Sequence, residues 1–121
     1  MIGGIGIDSI EIGRVEEAIR REAFLRRVFT ESERAYLAKK GLAAQSAAGM
    51  FCAKEAVLKT MGLGITDGPL TDIEVLHEKG GAPYVKLHGK LADRCRGSKV
   101  FLSITHTREY ASAFAVLERE G

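Results

Sequence analysis

The stretch from Leu42 to Met61 constrains the fold of this chain more than any other. It holds no proline, and Ala, Met, Phe, Cys, Val and Leu recur around most of the circumference of the helix it would form. A helix that is apolar nearly all round is normally buried in the middle of a domain. It is not a membrane span, because Lys54, Glu55 and Lys59 interrupt it and no apolar run approaches the ~20 residues needed to cross a bilayer. The other segments must therefore wrap around it. The length of 121 residues suits one domain over 1–121, and 45% hydrophobic with 28% charged residues describes an ordinary soluble protein.

Those other segments have their own signatures. Met1 to Ile7 reads as a short, glycine-rich strand ending at Asp8, and Ile12, Val15 and Ile19 follow at helical spacing. Thr30 and Glu33 stand at the spacing of a capping box and open a helix that Gly41 closes. Gly62-Leu63-Gly64 ends the long helix. Asp72 to Glu78 and Tyr84 to His88 are expected to pair as a hairpin across Gly80, Gly81 and Pro83. A turn or short helix near Leu91–Arg96 precedes a second strand pair, Val100 to Thr105 and Ala111 to Leu117. Helices early and antiparallel strands late predict an α+β fold, the long buried helix packed on an antiparallel sheet.

Charge and cysteine usage narrow the function. Lys+Arg number 18 against 16 Asp+Glu, and a net charge of +2 is too small for general nucleic-acid binding. The amino-terminal segment lacks a basic stretch and carries Asp8, so it does not read as a secretory signal. Cys52 and Cys95 lie far apart and outside any zinc spacing, which suits two buried, reduced thiols. A cytoplasmic protein with no nucleic-acid or membrane partner is expected. A small chain without disulfides builds its core by packing or by oligomerising.

Three polar features stand out against that background. At ~100° per residue, Glu55 projects among Ala44, Ala48 and Phe51, where a carboxylate is costly unless compensated. Either Lys59, four residues on, pairs with it along the helix, or Glu55 is a metal ligand and Lys59 faces the same anionic substrate. Asp8 is open in the same way. With Glu11 three residues later it suits a helix N-cap, while a carboxylate at a strand's carboxyl end also suits Mg²⁺, which needs only one or two protein carboxylates. Ser103-Ile104-Thr105-His106-Thr107 ends a strand in hydrogen-bonding side chains, with Ser103 and Thr105 on one face. Gly62 and Gly64 are either a helix stop or a loop that lets backbone approach phosphate.

These segments together resemble one family. Gly6-Ile7-Asp8 with Glu11, Ile12 and Arg14 resembles its first motif, and Phe51-Cys52-Ala53-Lys54-Glu55-Ala56-Val57-Leu58-Lys59 resembles its second, FxxKEAxxK. Asp72-Ile73-Glu74-Val75, Gly81-Ala82-Pro83-Tyr84 and Ser103 to Thr107 follow in the family's order. The chain is similar over nearly its whole length to the holo-(acyl-carrier-protein) synthases, small group-I phosphopantetheinyl transferases. It departs from them at Met50 and Ala23, where basic residues are usual.

The resemblance implies the phosphopantetheinyl transferase fold, with active sites at the interfaces of a homotrimer. It implies Mg²⁺-dependent transfer of 4′-phosphopantetheine from coenzyme A to a serine of apo acyl carrier protein, leaving adenosine 3′,5′-bisphosphate and serving fatty acid biosynthesis. By the same carry-over Asp8 and Glu55 hold Mg²⁺, and Glu55, directly or through water, takes the serine proton. Lys59, Gly62, Gly64, Gly81, Pro83, Ser103, His106 and Thr107 bind coenzyme A. Arg14, which belongs to the motif, with Phe24 and Arg27 three residues apart, reads either as a basic docking surface with an apolar anchor for an acidic carrier protein or as a mixed-charge solvated helix. A different Mg²⁺-dependent, nucleotide-using transferase and a non-catalytic α+β binding module are the alternatives.

Overall fold

A computed structural model describes residues 1–120. In chain order they form β1 (Ile2–Glu11), α1 (Ile12–Ala18), α2 (Glu22–Val28), α3 (Glu31–Lys39), α4 (Ala44–Thr60), a 3-10 turn (Leu70–Asp72), β2 (Ile73–His77), β3 (Pro83–Leu87), α5 (Gly89–Arg94), β4 (Ser98–His106) and β5 (Tyr110–Arg119). The α+β expectation holds, and α4 is the buried centre.

Helix α4 lies on a three-stranded antiparallel sheet of order β1-β5-β4, while β2 and β3 pair separately. Its approach to the sheet is close because both surfaces are small. Strand β5 buries Ala111, Ala113, Ala115 and Leu117 on alternate positions, and α4 buries Ala47, Ala48, Ala53 and Ala56. On β1 a Cβ added at Gly4 or Gly6 would overlap the carbonyl oxygens of Thr60 and Ala56. Glycine weakens a strand, so its place here reflects direct backbone contact with the helix.

The sheet brings the two ends of the chain together: Ile5 pairs with Val116, Asp8 with Ala113 and Glu11 with Tyr110. This pairing corrects two expectations. The first strand continues past Asp8 to Glu11, because β5 offers hydrogen bonds along that whole length. Asp8 is thus neither a strand end nor a helix cap; Glu11 occupies the N-cap of α1, without a side-chain cap bond. The capping box of α3 forms as read, with Thr30 Oγ1 accepting from the Glu33 N–H at 3.2 Å and Glu33 Oε1 accepting from the Thr30 N–H at 2.8 Å.

Opposite α4, the sheet exposes Ile5 and Ile7 of β1, Phe114 of β5 and Phe101 of β4, with Ile7 directly across from Phe114. The core therefore lies on one side of the sheet only. Cys52 and Cys95 are free and buried. Among the described residues no helix is long and apolar enough to cross a membrane.

Candidate active site

Alternation along β1 turns Gly4, Gly6 and Asp8 toward α4. There the C-terminal half of the helix supplies Glu55 and, one turn on, Lys59. The Lys59 ammonium donates to the Ile7 carbonyl oxygen at 2.9 Å and stands 3.4 Å from Asp8 Oδ1. The Lys59 side chain is half exposed and that of Asp8 mostly covered, so the group opens to solvent on one side. Among the described residues Lys59 forms its salt bridge with Asp8, and the intrahelical pair with Glu55 is not made. Contact with β1 draws the lysine across to the strand.

Glu55 is left among charges that do not balance. Burial raises its carboxyl above the usual carboxylate range, the Asp8 charge adds to this, and Lys59 opposes it. Beneath them Cys52 donates to the Ala111 carbonyl oxygen at 3.4 Å. Burial, then the charges of Asp8 and Glu55, push this thiol up to about 12, so it stays protonated and inert. Asp8 takes the one lysine and leaves the Glu55 carboxyl unpaired among the described residues, and the surplus negative charge fits a divalent cation. Hard oxygen donors suit Mg²⁺, which needs no third protein ligand when water and phosphate fill its other positions. No group of three or more His, Cys, Asp or Glu that could hold a metal ion converges among the described residues, here or elsewhere.

A second collection of expected residues lies apart from the first. His106, Gly81 and Pro83 line a cavity of about 320 Å³ beside Gly49, Met50 and Ile104, and neither Asp8, Glu55 nor Lys59 lines it. The N-terminal half of α4 forms its wall, with Gly49 facing Ile104. Tyr36 and His77 stack in the same cavity, 4.1 Å between centroids and 4° from parallel. Among the described residues His77 Nδ1 is buried there without a partner, and burial, then Lys40, lowers the ring below histidine's usual range. Met50, standing where the family is usually basic, is buried in that wall.

Other expected residues fall elsewhere. Ser103 faces away from His106, on the outer side of the sheet across from Phe114. Thr107 shapes the β4–β5 turn, its N–H donating to the Tyr110 carbonyl at 2.8 Å and its Oγ1 accepting from the Tyr110 N–H at 3.1 Å. Gly62, at φ +72°, closes the helix through its N–H on the Lys59 carbonyl, and nothing crowds its α-carbon. The Gly64 N–H is taken by Asp67 Oδ2 at 2.6 Å.

On the adjoining surface, α2 places Phe24 and Arg27 together, the guanidinium 6.0 Å from the ring centroid. They border a cavity of about 290 Å³ with Phe51, Ile65, Pro69 and Leu70. Glu17 pairs with Arg20 and Glu22 with Arg26, whereas Arg14 and Arg27 make no salt bridge among the described residues.

Sequence reasoning passed over Lys54. Its side chain, like that of Glu33, is fully buried, and the two meet at 2.7 Å. Burial lowers the lysine from its usual value while Glu33 opposes the shift. The available signal was a lysine inside a helix with no polar face.

The chain is similar to known proteins along its length. The family model for the 4′-phosphopantetheinyl transferase superfamily matches residues 4–115. A holo-[acyl-carrier-protein] synthase of Clostridium tetani is 44% identical, over 99% of this chain and 98% of its own. Among solved structures, a holo-(acyl-carrier-protein) synthase of Bacillus anthracis in complex with CoA (3′,5′-ADP) superposes with a TM-score of 0.84 at 38% identity, covering 99% of both chains. The Helicobacter pylori enzyme in complex with coenzyme A gives 0.84 at 31% identity, over 94% of this chain and 99% of its own. With its helix-on-sheet fold and its acid pair beside a lysine, this chain belongs to the holo-[acyl-carrier-protein] synthase family of the 4′-phosphopantetheinyl transferase superfamily.

Proposed function

We propose that this protein transfers 4′-phosphopantetheine from coenzyme A to a serine of apo acyl carrier protein, in a Mg²⁺-dependent reaction at Asp8, Glu55 and Lys59. The observation that carries the reading is the unbalanced acid pair beside a half-exposed lysine, in a chain whose relatives are holo-[acyl-carrier-protein] synthases. Asp8 and Glu55 would hold Mg²⁺, which would supply positive charge to the pyrophosphate. Phosphoryl transfer needs little more than in-line placement and charge neutralisation.

The chain's own residues do the rest. Lys59, fixed by the Ile7 carbonyl and Asp8, brings a further positive charge to the phosphates. The acceptor serine oxygen attacks the phosphorus that carries the pantetheine arm. The bond from that phosphorus to the bridging oxygen breaks, and adenosine 3′,5′-bisphosphate departs with the electron pair. Glu55, raised by its burial, is suited to receive the serine proton. His106 with Gly81, Pro83 and Thr107 holds another part of the coenzyme, while Gly62, Gly64 and Ser103 lie outside the His106 cavity. Arg14, Phe24 and Arg27 form the carrier-protein surface, where unpaired arginines suit an acidic partner.

We propose further that the enzyme works as a homotrimer in the cytoplasm. Two features support assembly: the acid pair and the His106 cavity are separate within one chain, and the outer sheet face exposes Ile5, Ile7, Phe101 and Phe114. An exposed apolar patch of this kind calls for cover. Neighbouring copies would supply it and join the two half-sites.

Incubation with coenzyme A and apo acyl carrier protein, followed by mass spectrometry of the carrier, tests the chemistry. The carrier should gain one phosphopantetheine, and a chelator should abolish the gain. An unmodified carrier would favour a binding module, and modification indifferent to chelation would remove the metal from the reading. Sedimentation showing an active monomer would refute the shared site.

A further inference from the structure

The two lysines of α4 are used differently, and the chemistry above engages only Lys59. We propose that Lys54 is a positioning residue for the transfer reaction, locking α4 against the start of β2 so that Glu55 faces Asp8. The proposal rests on the reading of Asp8 and Glu55 as the metal-holding pair.

Lys54 has no capacity left for substrate. Its ammonium donates to Glu33 Oε1 at 2.7 Å, to the Leu70 carbonyl at 2.9 Å and to the Ile73 carbonyl, so three protons meet three acceptors. Glu33 is equally engaged, Oε1 accepting also from the Thr30 N–H at 2.8 Å and Oε2 from the Val75 N–H at 2.7 Å. A single buried node thereby ties the starts of α3 and β2 and the 3-10 turn to the middle of α4.

The opposite side of α4 cannot set its rotation as sharply. Toward the sheet the helix packs mainly small residues, Ala56 against Gly6 and Gly49 against Ile104, and its polar ties there are the half-exposed Lys59 ammonium on the Ile7 carbonyl and a 3.4 Å bond from the Cys52 thiol to the Ala111 carbonyl. Three fully buried hydrogen bonds at Lys54 provide a firmer angular reference than these two. Lys54 and Glu55 are consecutive, about 100° apart around the helix, so fixing one direction fixes the other. Misplacement of a catalytic group by about 1 Å can cost on the order of 100-fold in rate.

The probe is Mn²⁺, titrated by the electron paramagnetic resonance of the free ion, with coenzyme A present and carrier absent. Lys54→Met alone strands the Glu33 charge in the interior and strongly destabilises the fold. The Glu33→Gln/Lys54→Met double variant removes both charges and carries the test. It should melt cooperatively with parental secondary structure, bind Mn²⁺ about tenfold more weakly and lose turnover about 10–100-fold, at unchanged KM for the carrier. Leu37→Ala, a core truncation in α3, supplies a destabilised control that should keep parental Mn²⁺ affinity. A double variant that folds with parental Mn²⁺ affinity and turnover, or that does not fold at all, makes the pair a stabilising element only and overturns the proposal. Glu55→Gln is titrated alongside: if it leaves Mn²⁺ affinity intact, the acid-pair reading has failed. If only the double variant leaves affinity intact, the positioning role alone has failed.

Discussion

Lys54 and Lys59 sit on the same helix, five residues apart in number, and each meets a carboxylate from another element. Around Lys54 every proton and every carboxylate oxygen is engaged, and both side chains are excluded from water. Around Lys59 the ammonium is half exposed, the contact to Asp8 is a long 3.4 Å, and Glu55 has no partner of its own among the described residues. The contrast separates structure from chemistry. A buried charge survives only where its bonding capacity is filled, which leaves nothing over for a ligand. A site that binds a ligand must keep capacity open and tolerate the electrostatic cost.

The contrast predicts a stability difference first. Lys54→Met should lower unfolding stability by about 3–5 kcal/mol, because it leaves Glu33 buried and uncompensated. Lys59→Met, at an exposed pair, should stay within about 1 kcal/mol. Urea denaturation of both variants decides it, and equal losses would break the distinction.

Activity should show the reverse sensitivity. Asp8→Asn and Glu55→Gln should each fold normally yet lose roughly 100–1,000-fold in turnover, the scale for removing one transition-state stabiliser. Glu55 is charged against the pull of its burial, so the metal-free Glu55→Gln protein should be no less stable than the parent at neutral pH. Near-normal turnover in either variant at ordinary Mg²⁺ would dismantle the site.

A third carboxylate lies between the two cases. Glu74 Oε2 accepts from Thr30 Oγ1 at 2.6 Å and Ser32 Oγ at 2.5 Å, and Oε1 meets His88 Nε2 at 3.0 Å. The Ser32 and Thr30 bonds foremost, then His88, hold its carboxyl down to about 2 against an ordinary 4.5. A depressed acid contributes stability that is complete above the unfolded value and lost as pH falls through the folded one. Between about pH 4.5 and 2 the protein should therefore lose up to about 3 kcal/mol through this group. Glu74→Gln should flatten that limb of the stability profile and leave the loss of activity in Asp8→Asn unchanged. An identical acid limb in the variant would place the sensitivity elsewhere.

Lys59→Ala should lower turnover about 10–100-fold, more than it raises the KM for coenzyme A, because its charge matters most as negative charge moves to the leaving bisphosphate. A change confined to KM would make Lys59 a binding residue. The smallest effects belong to the surface. Arg14→Glu and Arg27→Glu should each raise the KM for carrier protein several-fold while sparing coenzyme affinity, and parental docking should weaken with salt. A carrier KM indifferent to both would move the docking surface.

Much of this architecture could be read from the chain itself. The apolar girth of the segment near Ala44–Thr60, the capping box at Thr30 and Glu33, and the glycines around Gly81 are local patterns whose physics acts within a few residues. Glu55 could be singled out as a carboxylate costly in its local setting, whereas the roles expected of Asp8 and Lys59 came from the family resemblance. Tertiary structure decided which of them bond. Asp8 became a mid-strand residue because β5, from the far end of the chain, pairs with β1 through Glu11. Lys59 turned to Ile7 and Asp8, away from its helical neighbour Glu55, because glycines let β1 lie against the helix backbone. Lys54, beside Glu55 in sequence, became its structural opposite through the carbonyls of Leu70 and Ile73. Local pattern fixes which residues are costly to place; only long-range packing fixes which charge is saturated and which stays open.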